Sequence, residues 1–71
     1  MELSIVKPKG GCRWAIKAVV DNEVRYRGFY YKQNAVANLS EWQGYRCDDD
    51  FMRDFHHNFH SAEELGIKGE L

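Results

Sequence analysis

Seventy-one residues, 44% hydrophobic and 14% aromatic, make one small domain near the lower size at which a single core sustains itself. The chain is too short to form a deep substrate cleft, and it holds no nucleophile motif or phosphate-binding loop, so no catalysis and no cofactor are expected. The net charge of −1 conceals a split: residues 1–47 carry eight Lys/Arg against four acids, whereas residues 48–71 carry two against seven.

A dipolar chain of this kind points to charged partners, or to two halves that neutralise each other. The N-terminal MELSIVKPKG lacks an apolar run fit for a signal peptide, and no stretch is apolar enough to span a membrane. With only Cys12 and Cys47 present, a cytoplasmic protein with reduced thiols is expected, a Cys12–Cys47 disulfide being the less favoured alternative.

Leu3, Ile5 and Val6 predict a first strand over 3–7, ended by Pro8 and turned by Gly10-Gly11. A second strand follows over 12–20, with Trp14, Ile16, Ala18 and Val20 on one face. The third strand covers 24–31. Keeping apolar residues together favours a three-residue loop that pairs Val20 with Val24, Ala18 with Tyr26, Ile16 with Gly28 and Trp14 with Tyr30. Asn22 or Glu23 would then take the left-handed conformation. A two-residue loop at Asn22-Glu23 would instead put Arg25 and Arg27 on the face of Trp14 and Ile16.

In the three-residue register the opposite face gathers Arg13, Lys17, Arg25 and Arg27 with Phe29 and Tyr31. Such a face suits phosphates and stacked bases. The ordinary alternative is a solvated outer face, or one covered by the chain's own acidic half.

A helix is predicted over 32–43, with Ala35, Val36, Leu39 and Trp42 against the Trp14/Ile16/Ala18 face and Gly44 as its stop. Asp48-Asp49-Asp50 opens a second, acidic helix over 48–60, in which Phe51, Met52, Phe55 and Phe59 form a buried stripe. Helix capping explains these aspartates better than a metal site or an acidic docking patch, because a calcium loop needs spaced ligands. Ser61-Ala62-Glu63-Glu64 is a capping box for a short turn over 61–66, after which 67–71 should fray. The fold expected is α+β: a three-stranded antiparallel sheet with one helix on its apolar face and a second, acidic C-terminal helix.

The basic hairpin GGCRWAIKAVVDNEVRYRGF followed by KQNAVANLSEW resembles the sheet-plus-helix DNA-binding domains of phage integrases and plant AP2-type factors, over residues 10–43. The resemblance implies that Arg13, Lys17, Arg25 and Arg27 approach DNA. The chain departs from that pattern in having Tyr31-Lys32 where those domains start the helix with threonine, and in its acidic helix.

His56 and His60, four residues apart, are candidate zinc ligands with Cys12 and Cys47, although the cysteine spacing fits no zinc motif. The expected function is non-enzymatic binding, to DNA through the hairpin. The rival is a protein-interaction module or inhibitor of phage or prophage accessory type, using aromatic and acidic helix surfaces. A zinc-stabilised structural domain comes third. Ten aromatics on so small a body suggest a homodimer.

Overall fold

The computed structural model describes residues 2–44 and 48–70, apart from the side chains of residues 43, 44 and 48. The elements run β1 (Glu2–Val6), β2 (Trp14–Val20), β3 (Glu23–Phe29), α1 (Lys32–Gly44), α2 (Asp48–Asn58) and α3 (Ala62–Leu65). The three strands form one antiparallel sheet in the order β1-β2-β3. The expected α+β class is therefore the observed one, with element ends shifted by one or two residues.

The hairpin register differs from the expected one. Val20 pairs with Glu23, Ala18 with Arg25, Ile16 with Arg27 and Trp14 with Phe29, around a two-residue turn. That turn is Asp21-Asn22, and both residues have positive φ, 51° and 68°. Positive φ at both central positions defines a type I′ turn, whose twist matches that of the flanking strands. Asp and Asn tolerate the left-handed region because their short polar side chains bond locally. The turn chemistry thus outweighs the tidier apolar pairing that a three-residue loop would give.

One face of the sheet carries Leu3, Ile5, Ile16, Ala18, Val20 and Phe29 and is covered by both long helices. Ile16, Ala18, Ala35, Phe51, Phe55 and Phe59 are buried together there, with Leu39, Trp42 and Met52 packed around them. Val36, assigned to this stripe by its spacing, stands 43% exposed instead. Asn38, polar and off the apolar stripe, nonetheless turns in: Trp42 Nε1 donates to its Oδ1 at 3.0 Å. The helices meet through the edge of Trp42 against Phe51, with ring centroids 5.3 Å apart.

The other face carries a smaller cluster of Ala15, Tyr26 and Ile67, with Val6, Cys12, Ala62 and Leu65 around it. Tyr26 is expected opposite Ala18 on the Ile16 face; the one-residue difference in register pairs it with Lys17 and moves it here. The segment expected to fray is part of this cluster. Ile67 is buried, Lys68 N–H donates to Lys9 O at 2.8 Å, and Lys9 N–H donates to Gly69 O at 2.7 Å. The capping box is present, since Glu64 N–H donates to Ser61 Oγ at 3.2 Å, and Gly66 ends the turn at φ 75°. Gly11 is required where this segment docks: a Cβ there would lie 2.4 Å from Leu65 O, and its φ is +77°.

Candidate functional site

The register disperses the residues expected to form one cationic face. Arg25 and Arg27 project on the helix-covered side with Ala18 and Ile16, and Lys17 lies on the opposite side with Tyr26. Each has a carboxylate partner. Lys17 Nζ is 3.2 Å from Glu70, and Arg27 Nη1 is 3.7 Å from Asp54 Oδ2. Arg25 Nε donates to Glu23. The acidic half of the chain therefore neutralises two hairpin cations, through Asp54 and Glu70.

Arg25 also has a structural task. Its Nη1 donates to the carbonyls of Phe55, His56 and Phe59 at 3.3–3.4 Å. These lie in and just beyond the last turn of α2, where carbonyls lack helical partners and the dipole is negative. The guanidinium also stands 5.2 Å from the Phe55 ring. Arg27 is held similarly, donating to Asn38 Oδ1 at 3.3 Å and lying 5.5 Å from the Phe29 ring. An arginine on a core face is stable when its stem packs and its head finds acceptors.

Arg13 is arranged differently. It lies just before β2, exposed, with its guanidinium 4.7 Å from the centre of the Tyr30 ring. Tyr30 meets Tyr31 edge-on at 4.8 Å, and these rings are 61% and 56% exposed. Next along the strand, Trp14 carries two ammonium groups over its ring, Lys7 at 5.7 Å and Lys32 at 5.1 Å. Among the described residues, no carboxylate forms an ion pair with Lys7, Arg13 or Lys32.

These residues share one end of the sheet because of the topology. Trp14 opens β2 opposite Phe29, which closes β3. Lys7 leaves β1 beside Val6, the partner of Ala15. Tyr30 and Tyr31 bridge β3 to α1, which starts at Lys32 with no acid in its first turn. The positive end of that helix dipole adds to the local potential.

Of the expected site residues, the structure thus joins Arg13 and Tyr31, with Phe29 next to them, and separates off Lys17, Arg25 and Arg27. Lys7, Trp14, Tyr30 and Lys32 gather at the same sheet end although strand patterning did not select them. Their signal was the clustering of three cations and three aromatics at element ends rather than on a strand face.

Beside Arg13 and Tyr30 lies an open cleft of about 330 Å³, lined by Gly11, Cys12, Arg13, Gly28, Phe29 and Tyr30. Gly28 leaves room for the Cys12 side chain at its wall; a Cβ there would lie 3.1 Å from Cys12 Cβ and Sγ. Cys12 is a free thiol. Burial pushes its pKa up, and a backbone hydrogen bond with Phe29 opposes part of that shift. The hydrogen bond and charge of Glu70 raise the pKa of Lys17.

The zinc candidates do not assemble. His56 is on α2, whereas His60 lies beyond its end, exchanging backbone hydrogen bonds with Tyr26. Cys12 lines the cleft, and Cys47 lies outside the described residues. Among the described residues no group of three or more His, Cys, Asp or Glu side chains gathers as a metal site. No described helix is long and apolar enough to cross a membrane.

Compared with family models, with curated proteins and with solved structures, the chain finds no match.

Proposed function

We propose that this protein is a small, non-enzymatic nucleic-acid-binding domain whose contact surface is the end of the sheet. One observation carries this: Lys7, Arg13 and Lys32 each stand over an aromatic ring and have no described carboxylate partner. Cations attract and neutralise phosphates, and exposed rings offer faces on which bases of any sequence stack. The DNA-binding expectation is kept, but its residues change. Arg13, Tyr31 and the neighbouring Phe29 remain, Lys7, Trp14, Tyr30 and Lys32 join them, and Lys17, Arg25 and Arg27 become structural.

Fluorescence anisotropy with labelled single-stranded and duplex oligonucleotides, over a range of salt concentrations, tests this. Three phosphate contacts on a single strand give a slope of about −2 in log K against log salt, each contact contributing roughly −0.7. Arg13→Ala/Lys32→Ala should weaken binding at least about tenfold at low salt and flatten the slope by about 1.4. No binding at low salt, or equal binding by the double variant, would overturn the proposal.

A further inference from the structure

We infer that the cleft between Gly28, Cys12 and the Arg13–Tyr30 pair is a seat for one unpaired nucleobase, which makes the natural ligand single-stranded. This deepens the nucleic-acid contact proposed above and depends on it. At about 330 Å³ the cleft is at the lower end of the range of small-molecule sites, roughly 300–1,000 Å³. Its size suits one planar ring with part of its sugar and is far below what a duplex groove contact needs.

The construction of the cleft favours a flat, uncharged group. Gly11 and Gly28 contribute no side chains to its walls, and the Cys12 thiol is held neutral. Its rim is cationic and aromatic. The Arg13 guanidinium and the Tyr30 ring, 4.7 Å apart, are both surfaces on which a base stacks. A phosphate next to a seated base would then reach Arg13 at the rim, with Lys7 and Lys32 around Trp14 at the same end of the sheet. A base inside a duplex is already stacked and paired, and unstacking it costs a few kcal/mol. A single strand offers the same base without that cost.

An aromatic side chain of a protein partner would also fit the space. It brings no phosphates, however, to Arg13 at the rim or to Lys7 and Lys32 around the neighbouring Trp14.

The experiment compares three probes of equal length: an oligothymidine, an abasic single strand with the same phosphates, and a duplex. Two readouts are taken, affinity by anisotropy and the alkylation rate of Cys12 by a small maleimide. Peptide mass mapping follows Cys12 separately from Cys47. A seated base predicts that oligothymidine binds about tenfold more tightly than the abasic strand, within the range of one base–aromatic stack. Cys12 alkylation should slow at least fivefold with oligothymidine and not with the abasic strand. Gly28→Ala, which crowds the wall at Cys12, should remove the thymidine advantage while leaving abasic binding intact. Its circular dichroism and melting temperature establish that the variant is folded.

Equal affinity for oligothymidine and the abasic strand, with Cys12 unprotected, would overturn the base seat while leaving the electrostatic contact standing. A preference for the duplex would also overturn it. If none of the three probes binds, the nucleic-acid function itself fails.

Discussion

Arg25 and Arg13 are both hairpin arginines, and the structure gives them opposite consequences when removed. In Arg25→Ala, the carbonyls of Phe55, His56 and Phe59 lose their donor and the Phe55 ring loses its cation. The three hydrogen bonds are long, so together they contribute roughly 1 kcal/mol rather than the full value for charged bonds. A cation at a partly buried helix C-terminus is worth about 0.3–2 kcal/mol, and the ring contact about 0.5–1 kcal/mol. These figures describe one charge and overlap, so the expected loss is about 2 kcal/mol. In a domain of this size that lowers Tm by roughly 8–16 °C.

Among the described residues, Arg13 makes no hydrogen bond or ion pair, and its guanidinium lies over the exposed Tyr30 ring. Arg13→Ala should therefore change stability by less than about 0.5 kcal/mol. Urea unfolding, followed by tryptophan fluorescence, measures both variants. Arg25→Met, which keeps much of the stem against Phe55, should fall between wild type and Arg25→Ala. An Arg25→Ala loss below about 0.5 kcal/mol, or one no larger than that of Arg13→Ala, would refute the division of the arginines into structural and available ones.

Further substitutions and pH probe the same frame. Gly11→Ala should destabilise by about 2 kcal/mol or more, because it combines a left-handed residue with a Cβ driven into Leu65 O. Amide exchange should then quicken first at Ile67 and Lys68, and an unchanged exchange pattern would contradict the docking described. Asn22→Gly should be neutral or stabilise by up to about 0.5 kcal/mol, since glycine suits the second position of a type I′ turn; a loss above about 1 kcal/mol in urea unfolding would argue against that turn. Stability should also decline in alkali. The folded Cys12 keeps its proton more tightly than the unfolded chain, so stability falls as pH rises past the ordinary thiol value of 9.0. The raised pKa of Lys17 gives a contribution complete below 10.5 and lost as pH climbs through the folded value. Cys12→Ser should abolish its share of the first decline, and equal pH profiles for the two proteins would count against the thiol.

The element order was legible in the sequence because helical and strand periods differ and the punctuation is strong. Asp48-Asp49-Asp50, Ser61 with Glu64, and Gly66 each mark an end through local chemistry, and the observed ends follow. The aromatic stripe Phe51–Phe55–Phe59 was legible for the same reason. The hairpin register was not, because two physical preferences disagree there. Apolar pairing favours Val20 with Val24, whereas the turn preference favours Val20 with Glu23. The turn's preference is matched at long range: carbonyls at the end of α2 accept from Arg25 and Asp54 pairs with Arg27 at 3.7 Å, partners that a strand pattern cannot show. The docking of 67–70 was hidden likewise, since it depends on Gly11 letting Leu65 and Ile67 come close and on Tyr26 packing against Ile67.

The turn and the proposed site sit at opposite ends of the hairpin and are nevertheless linked by register. Strand pairing is rigid at the level of whole residues, so the two-residue turn at Asp21-Asn22 sets Trp14 against Phe29 seven residues away. That pairing makes Phe29 the last strand residue and leaves Tyr30 and Tyr31 to carry the chain over the sheet end into α1. It also turns Arg25 and Arg27 toward α2, where helix carbonyls and Asp54 satisfy them. Among the described residues, the cations without an ion pair include Lys7, Arg13 and Lys32, which lie where strands or α1 start or stop; Lys9, Arg53 and Lys68 lie elsewhere. The neutralisation of Arg25 and Arg27 away from Arg13 is thus a consequence of the turn, and it lets a chain of net charge −1 keep Lys7, Arg13 and Lys32 together at one end of the sheet.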